Sequence, residues 1–204
     1  MKMIPFSNPD ITEKDIDSVA DVIRSGWLTH GNYSNLLEDL FCQYTGTRFS
    51  TTVSNCTAGL HLSCLAAGFS ENDEVIVPAQ THVATAHAIE YTGAKPIFVD
   101  VNSVSGNLQI DLIHSKISEK TKGIIPVHMA GYPCDMKGIK KICKDYNLIL
   151  IEDCAHAIGT IFNNTHVGNF GKAGCFSFYP TKQITTGEGG AVSYTHLTLP
   201  TMFE

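Results

Sequence analysis

The sequence predicts an α/β protein in three layers, with a mainly parallel mixed β-sheet between two layers of helices. Two observations lead to this fold class. From residue 49 onward, short apolar or β-branched runs alternate with segments of helical spacing, which is typical of strands joined by crossover helices. Polar residues follow the predicted strands five times, at the edge where parallel sheets bind ligands. A chain of 204 residues, 43% of them hydrophobic, is large enough for one such domain.

Two helices are predicted ahead of the sheet. The first has Thr12 as its N-cap and ends before Gly26, and its apolar residues fall on one face: Ile16, Val19, Ala20 and Ile23. The second ends before Gly46 and carries an apolar stripe: Leu37, Leu40, Phe41 and Tyr44. Both helices therefore need a surface to pack against.

The alternating part of the chain predicts six strands and four helices. The strands are predicted at residues 49–53, 75–77, 96–101, 123–127, 148–151 and 173–178. The helices between them are predicted at residues 57–67, 81–91, 110–118 and 135–146. Because strands of this kind alternate with helices, the sheet is expected to be covered on both faces.

Composition excludes several classes of function. The formal net charge of −6 argues against a surface for nucleic acid or anionic lipid. Seven cysteines without a C-x-x-C pair predict neither a disulfide framework nor a zinc site, and they are typical of reduced thiols in the cytoplasm. Nine histidines form no H-E-x-x-H pattern, so no metal is expected. Neither a signal peptide nor a membrane span is apparent, which predicts a cytoplasmic protein with small-molecule partners.

Lys182 is the residue most suggestive of chemistry. It stands alone between an apolar strand and a glycine-rich turn at residues 187–190. Partial desolvation at the end of a sheet would release a neutral amine able to attack an aldehyde, as a Schiff-base lysine must. The alternative is a strand-end lysine whose ammonium group simply reaches water.

The other strand ends supply groups that would complement such a lysine. Residues 54–59 connect a strand to a helix, where free backbone N–H groups and the Thr57 hydroxyl favour a phosphate, although an ordinary N-cap is the alternative. Further polar residues follow other strands: Thr81, His82, His128, Glu152, Asp153 and Ser177. Together they predict one shared site.

A buried carboxylate at the end of a strand is costly unless it meets a cation or hydrogen-bond donors. Asp153 is therefore a candidate partner for the ring nitrogen of a pyridine cofactor, and a strand-terminal cap or a core ion pair is the alternative. Composition does not separate Asp153 from Glu152. Strand alternation allows only one of the two to face the site.

The chain resembles the DegT/StrS family of pyridoxal-phosphate-dependent sugar aminotransferases from about residue 4 to residue 192. The matching stretches are residues 25–31 (SGWLTHG), 54–58 (SNCTA), 77–78 (VP), 81–86 (THVATA), 126–128 (PVH), 152–157 (EDCAHA) and 177–190 (SFYPTKQITTGEGG). The resemblance implies the large domain of a fold-type I transferase with pyridoxal 5'-phosphate as its cofactor, in a homodimer.

The resemblance also implies the roles of individual residues. Lys182 would hold the cofactor as a Schiff base, and Asp153 would pair with the pyridine nitrogen. Cys56, Thr57, Ala58 and Ser177 would surround the phosphate. His82 would stack on the ring, and His156 would lie near the ring hydroxyl. The family more often has Gly at position 56, an aromatic residue at 82 and Gln at 156.

Residues 1–192 are expected to form this large domain, with helices at residues 12–46 included. Residues 193–204 no longer resemble the family and are expected to be an atypical tail that is not native. The smaller C-terminal domain of the family is expected to be missing.

The function implied by the resemblance is transfer of an amino group from an amino acid, with glutamate the expected donor, to a keto group of a nucleotide-linked deoxysugar. The alternative is an inactive fragment, or a regulatory domain of the same fold that binds the cofactor. Dehydratase relatives lack the Schiff-base lysine, so Lys182 argues against that activity. A plain nucleotide-binding domain is disfavoured because no G-x-G-x-x-G follows an early strand.

Overall fold

The computed structural model describes residues 4–5 and 7–195. Two helices precede the sheet, as predicted. Helix α1 (Glu13–Ser25) begins after Thr12, which forms a reciprocal capping box with the third residue of the helix. Helix α2 (Asn32–Thr45) ends before Gly46, and both helices stop at a glycine in the left-handed conformation, since Gly26 has φ of 71° and Gly46 of 75°.

The apolar face of α1 is largely exposed within the part of the chain that is described. No α1 residue is buried, and three of its apolar side chains remain at least half accessible: Ile16 at 50%, Val19 at 61% and Ile23 at 62%. By contrast, Phe41 of α2 is buried against Phe176 and Phe178. Helix α2 is therefore anchored to the sheet, whereas α1 presents an uncovered apolar stripe.

The rest of the described chain alternates strands and helices. The strands are β1 (Phe49–Val53), β2 (Glu74–Pro78), β3 (Lys95–Val99), β4 (Thr121–Ile124), β5 (Ile149–Asp153), β6 (Ile161–Phe162), β7 (Thr165–His166), β8 (Ala173–Ser177) and β9 (Gly190–Tyr194). The helices are α3 (Cys56–Ala66), α4 (Val83–Glu90), α5 (Ile110–Ile113) with a 3-10 turn at His114–Lys116, and α6 (Met136–Asp145). A second 3-10 turn lies at Met129–Gly131, and β6 and β7 form a separate hairpin.

Seven strands form the central sheet of the described residues in the order β1-β9-β8-β5-β4-β2-β3. Every neighbouring pair is parallel except those made by β9, which is antiparallel to both β1 and β8. Six strands therefore point the same way, which confirms the predicted mainly parallel mixed sheet. Their carboxyl ends meet at one edge.

Both faces of the sheet are covered, which confirms the three-layer architecture. On β2, Val75 and Val77 pack with Leu60 of α3 on one face, while Ile76 packs with Ile139 of α6 on the other. Alternate residues of a strand point to opposite faces, so a continuous apolar run on β2 serves two cores at once.

Two strands end at least two residues earlier than predicted. Residues 96–101 and 123–127 were predicted as strands, but β3 and β4 end earlier, and Val101 and Val127 make only isolated bridges. Beyond β4 the chain passes through Pro126, which has no N–H to donate to a sheet. Its carbonyl still accepts a hydrogen bond from the Asp153 N–H at 3.0 Å, so the β4 loop stays beside β5.

Strand β9 was not predicted, because its glycine-rich start was interpreted as part of a turn. It continues two residues beyond Val192: Ser193 is buried and donates its hydroxyl to the Gly168 carbonyl at 3.1 Å, and Tyr194 pairs with Phe49. The predicted tail at 193–204 therefore includes two residues of the sheet, and residues 196–204 lie outside those described. The division into a large domain and a missing small domain stays a prediction.

The seven cysteines are all unpaired, and all but Cys42 are buried. Burial raises the pKa of the Cys64 and Cys134 thiols to about 12, so both stay protonated at neutral pH. Among the helices of the described residues, none combines the length and apolar character needed to cross a membrane.

Candidate active site

A cavity of about 450 Å³ opens at the carboxyl edge of the sheet. Seven of the eight candidate site residues line it: Cys56, Thr57, His82, Asp153, His156, Ser177 and Lys182. They come from the ends of β1, β2, β5 and β8, which are brought to one edge by their parallel direction. The shared site predicted from the strand ends is therefore present, although three predicted members, Ala58, Glu152 and His128, do not line it.

Ala58 is the first of these: it does not line the cavity, and its backbone N–H already has a partner within the protein. It donates to Asn55 Oδ1 at 2.9 Å, so Asn55 is the N-cap of α3. The ordinary N-cap is therefore present, and it leaves room for an anion at the same helix end. The first turn of α3 still presents its positive end to the cavity, together with the lining residue Thr57.

Ser177 ends β8 on the other side of this helix terminus. Its Oγ accepts a hydrogen bond from the Tyr179 N–H at 3.3 Å, which leaves the hydroxyl hydrogen available for a ligand. Ser177 pairs with Gly190 at the start of β9. A Cβ at position 190 would lie 2.8 Å from the Cys56 backbone nitrogen and 2.6 Å from the Phe176 carbonyl oxygen, so only glycine lets β9 pass this close to α3.

Lys182 lies in the turn that follows β8. Its backbone N–H donates to the Tyr179 carbonyl at 2.9 Å, and its side chain is partly buried and lines the cavity. The next residue, Gln183, donates its side-chain amide to the His156 carbonyl at 2.5 Å. The turn that carries Lys182 is thus tied to the loop after β5, which carries the other polar groups of the site.

Asp153 is the carboxylate of β5 that faces the cavity. It is 4% exposed and has two protein donors: the Thr85 hydroxyl reaches Oδ2 at 2.7 Å, and the Ala155 N–H reaches Oδ1 at 3.0 Å. This pattern leaves acceptor capacity on both oxygens, because a carboxylate can accept about four hydrogen bonds. A ligand N–H in the cavity could use it.

Glu152 points away from the cavity. Its Oε1 accepts the N–H groups of Phe170 and Gly171, and its Oε2 accepts the N–H of Gly168 and faces His128 Nε2 at 3.2 Å. The structure thus resolves the ambiguity between the two adjacent carboxylates: Asp153 faces the site, and Glu152 holds the loop at residues 168–171.

His128 is the third predicted member that lies elsewhere. Its Nδ1 accepts the Cys134 N–H at 3.1 Å, so the proton is on Nε2 and is donated to Glu152. Cys154 adds a thiol, and ligand atoms of the three side chains lie within 4.8 Å of one another. The imidazole and carboxylate atoms are already hydrogen-bonded within the protein, so this buried cluster is a structural clamp rather than a metal centre.

Two histidines line the cavity opposite the lysine. His82 Nδ1 accepts the Ala84 N–H at 3.2 Å as the N-cap of α4, and His156 Nδ1 accepts the Ala130 N–H at 3.4 Å. Each ring therefore presents a protonated Nε2. Burial lowers the pKa of His156, and the positive charge of Lys182 lowers it further, while Asp153 opposes this shift. At neutral pH His156 is therefore a neutral donor.

Cys56 stands at the first position of α3, beside the predicted phosphate site. Burial raises the pKa of its thiol well above the ordinary value, and the nearby Asp153 and Cys175 add to the effect. The thiol stays uncharged at neutral pH, so it places no negative charge against an anion. A small neutral side chain at this position is compatible with an anion at the helix terminus.

Sequence reasoning missed the residue that holds Asp153 from outside the cavity. Asn55 and Thr81, both named among the predicted strand ends, line the cavity, whereas the unpredicted Thr85 contacts Asp153 from α4. The only signal for Thr85 is its spacing of four residues from Thr81, which is too common to identify a site.

Comparisons with known proteins agree with this geometry. The sequence profile described as the DegT/DnrJ/EryC1/StrS aminotransferase family matches residues 9–199. Among curated proteins, GDP-perosamine synthase of Escherichia coli O157:H7 is 46% identical over 193 residues, which are 94% of this chain and 53% of that protein. The chain thus spans about half the length of the curated relatives it matches.

Solved structures show the same similarity. An aminotransferase from Psychrobacter cryohalolentis superposes with a TM-score of 0.91 at 36% identity, over 94% of this chain and 50% of that one. Spr1654 from Streptococcus pneumoniae, a sugar aminotransferase solved in its PLP form, superposes with a TM-score of 0.89 at 35% identity, over 97% of this chain and 54% of that one.

Proposed function

Because the chain belongs to the DegT/DnrJ/EryC1/StrS aminotransferase family, we propose that it carries the pyridoxal-phosphate site of a sugar aminotransferase. The proposed reaction moves an amino group from an amino acid to a keto group of a nucleotide-linked deoxysugar. One observation carries this proposal. A single cavity is lined by Lys182, by the buried carboxylate of Asp153, and by the hydroxyl groups of Thr57 and Ser177 beside the N-terminus of α3. GDP-perosamine synthase, a relative of similar sequence, supports the sugar-nucleotide class.

The residues fit this cofactor by their chemistry. Thr57, Ser177 and the N-terminus of α3 offer donors for a phosphate, and Cys56 adds no charge against it. Asp153 has acceptor capacity left for a ring N–H. The exposed imidazole of His82 offers a flat face, and His156 offers a neutral donor for the ring hydroxyl. When bound, the cofactor supplies an aldehyde and an electron-withdrawing ring that accepts charge from the substrate.

The chain's own residues divide the work. Lys182 provides the amine that would retain the cofactor. Once the amine of the donor has displaced it, the free Nζ would take the proton from Cα of the amino donor and, in the second half of the reaction, give a proton to the sugar carbon that receives the amino group. Asp153 holds the ring proton by accepting its hydrogen bond, which keeps the ring electron-withdrawing. Burial of Asp153 and its two protein donors keep this acceptor fixed and dry.

Partners follow from the same proposal. The amino donor is proposed to be glutamate, the acceptor a nucleotide-linked keto sugar, and the working form a homodimer in the cytoplasm. The alternative is a domain that binds the cofactor without turnover. It is favoured by one fact, that the chain spans only about half the length of its relatives.

The test is to trap the cofactor on its lysine. Purified protein is mixed with pyridoxal phosphate, reduced with borohydride and mapped by peptide mass spectrometry. We expect one pyridoxyl adduct, on Lys182, and its loss in Lys182→Ala. The matched control is Lys172, an exposed lysine outside the cavity, whose substitution leaves the adduct in place. An adduct on Lys172, or on no lysine, would refute the site.

Turnover separates the two alternatives. Glutamate-dependent amination of nucleotide-linked keto sugars is followed in the wild type and in Asp153→Asn, which keeps the shape of the side chain. Amination by the wild type at about 1–10³ s⁻¹ supports the enzyme. Trapping on Lys182 with no amination of any such sugar supports a domain that binds without turnover. Near-normal rates in Asp153→Asn would show that another group accepts the hydrogen bond from the ring nitrogen.

A further inference from the structure

Asp153 is held in place by a residue that does not itself line the cavity. Its Oδ2 receives the Thr85 hydroxyl at 2.7 Å, and Thr85 is completely buried. A carboxylate only accepts, so the Thr85 hydrogen must point at Asp153. No solvent reaches Thr85 to replace this donor if it is lost.

A second hydroxyl stands behind the first. Thr81 Oγ1 lies 2.7 Å from Thr85 Oγ1. Because the Thr85 hydrogen is committed to Asp153, Thr81 must be the donor of this second hydrogen bond. The direction of the chain is therefore fixed from Thr81 to Thr85 to Asp153. Thr81 and Asp153 both line the cavity, so this chain of two hydrogen bonds starts and ends at the cavity wall.

The placement of both threonines follows from the start of α4. Thr81 precedes the N-cap His82, and Thr85 lies in the first turn, with its N–H on the His82 carbonyl at 3.1 Å. The two hydroxyls fall four residues apart and therefore on the same side of the helix. Thr85 is β-branched, which restricts its χ1 in the helix to two preferred rotamers, and the structure shows the one whose hydroxyl reaches Asp153.

We propose that Thr85 is a positioning residue for the cofactor's ring, acting through Asp153, and that Thr81 supports it. The terminal torsion of an aspartate is broad and roughly two-fold, so a carboxylate held by Ala155 alone could rotate. The Thr85 hydroxyl locks the orientation in which the free acceptor positions of Asp153 face the cavity. This inference rests on the proposed function.

The variants distinguish a loss of the orientation of Asp153 from a general loss of protein stability. Thr85→Val keeps the volume and β-branching but removes the hydroxyl, and Thr85→Ser keeps the hydroxyl. The matched control is Thr45→Val in α2. Thr45 is equally buried, and its hydroxyl also bonds twice, to the Phe41 carbonyl at 2.7 Å and to Thr47 Oγ1 at 2.9 Å, away from the cavity.

The measurements are the apparent Kd for pyridoxal phosphate, the visible circular-dichroism band of the bound cofactor, and thermal unfolding without cofactor, all on the full chain. We expect Thr85→Val to weaken binding about tenfold, equivalent to about 1.4 kcal/mol, and to diminish the band. Thr85→Ser is expected to restore both. Thr45→Val is expected to lower the stability of the protein and to leave the Kd and the circular-dichroism band unchanged.

Wild-type Kd and an unchanged band in Thr85→Val would overturn the inference and leave the proposed function standing. A wild-type protein that binds no pyridoxal phosphate would overturn both. If Thr85→Val does not fold, Thr81→Val replaces it, because Thr81 is only partly buried. Thr81→Val is expected to weaken cofactor binding about threefold, and an unchanged Kd there would again overturn the inference.

Discussion

At the scale of single residues, adjacent carboxylates on β5 have opposite tasks. Asp153 ends the strand at the cavity with acceptor capacity to spare, whereas Glu152 is completely buried and is bound by three backbone N–H groups and His128. The same chemical group faces the cavity in one position and anchors a loop in the next. Strand alternation produces the difference, since it turns neighbouring side chains to opposite faces.

Glu152→Gln is therefore expected to destabilise the fold rather than alter the chemistry. The amide nitrogen cannot accept, so buried N–H groups of the loop lose their acceptor, at a cost of about 3 kcal/mol. Denaturant unfolding measures this loss. The exposed Glu90→Gln serves as the control and is expected to change stability by less than about 0.5 kcal/mol. Equal stability of Glu152→Gln and wild type would contradict the anchoring role.

The buried side chain of His166 is expected to make the stability of the fold depend on pH. It is buried, its Nδ1 donates to the Val167 carbonyl at 2.6 Å, and its Nε2 accepts the Gly159 N–H at 2.9 Å. Burial lowers the pKa of His166, against the opposing effects of the Val167 carbonyl and Glu152. The unfolded ring, with an ordinary pKa of about 6.5, takes a proton more readily than the folded one.

Protonation of His166 thus favours unfolding, so its contribution is fully present above about pH 6.5 and is lost as the pH falls below that value. Urea unfolding of the wild type is expected to show a decline in stability between pH 7 and pH 5. In His166→Gln this decline is expected to be shallower. An identical pH dependence in the two proteins would exclude His166 as its source.

At the scale of elements, the N-terminus of α3 has a structural cap and also faces the cavity, where a phosphate site is proposed. Asn55 satisfies the Ala58 N–H, while the terminus faces the cavity together with Ser177 at the end of β8. Strand β9 passes directly behind it, which Gly190 permits. Three elements distant in sequence therefore build one end of the cavity, and each depends on the others for its position.

Substitutions at Asn55 can separate the cap from the anion site. Asn55→Ala removes the acceptor for Ala58 and is expected to cost about 1 kcal/mol of stability. Asn55→Asp retains the cap and favours the helix dipole, so stability is expected to hold. Its added negative charge is expected to weaken pyridoxal-phosphate binding about tenfold. Stability is measured by denaturant unfolding and binding by titration; unchanged binding in Asn55→Asp would place the phosphate elsewhere.

At the scale of the whole molecule, the described chain combines a well-covered sheet with an uncovered helix. The three layers bury both faces of β2, yet Ile16, Val19 and Ile23 of α1 remain at least half exposed. An apolar stripe of this kind is characteristic of a surface that packs against something else. The cavity, by contrast, is lined by a lysine, a carboxylate and hydroxyl groups that come from the ends of β1, β5 and β8.

The sequence alone determined the fold class, both N-terminal helices and the strand ends that meet in the cavity. These features depend on local periodicity, caps and the common direction of parallel strands, all of which are written along the chain. Lys182 and Asp153 were predicted on the same basis, and the structure places both in one cavity. Their chemical roles stay predictions.

Only the tertiary structure decided which carboxylate faces the site, that Thr85 supports it, that His128 belongs to a separate clamp, and that Gly190 begins an antiparallel strand. Each depends on a partner far away in sequence: residues 168–171 for Glu152, β5 for Thr85, and β1 with β8 for β9. A hydrogen-bond partner 16 to 68 residues distant leaves no periodic trace in the chain, because its position is set by packing of the whole fold.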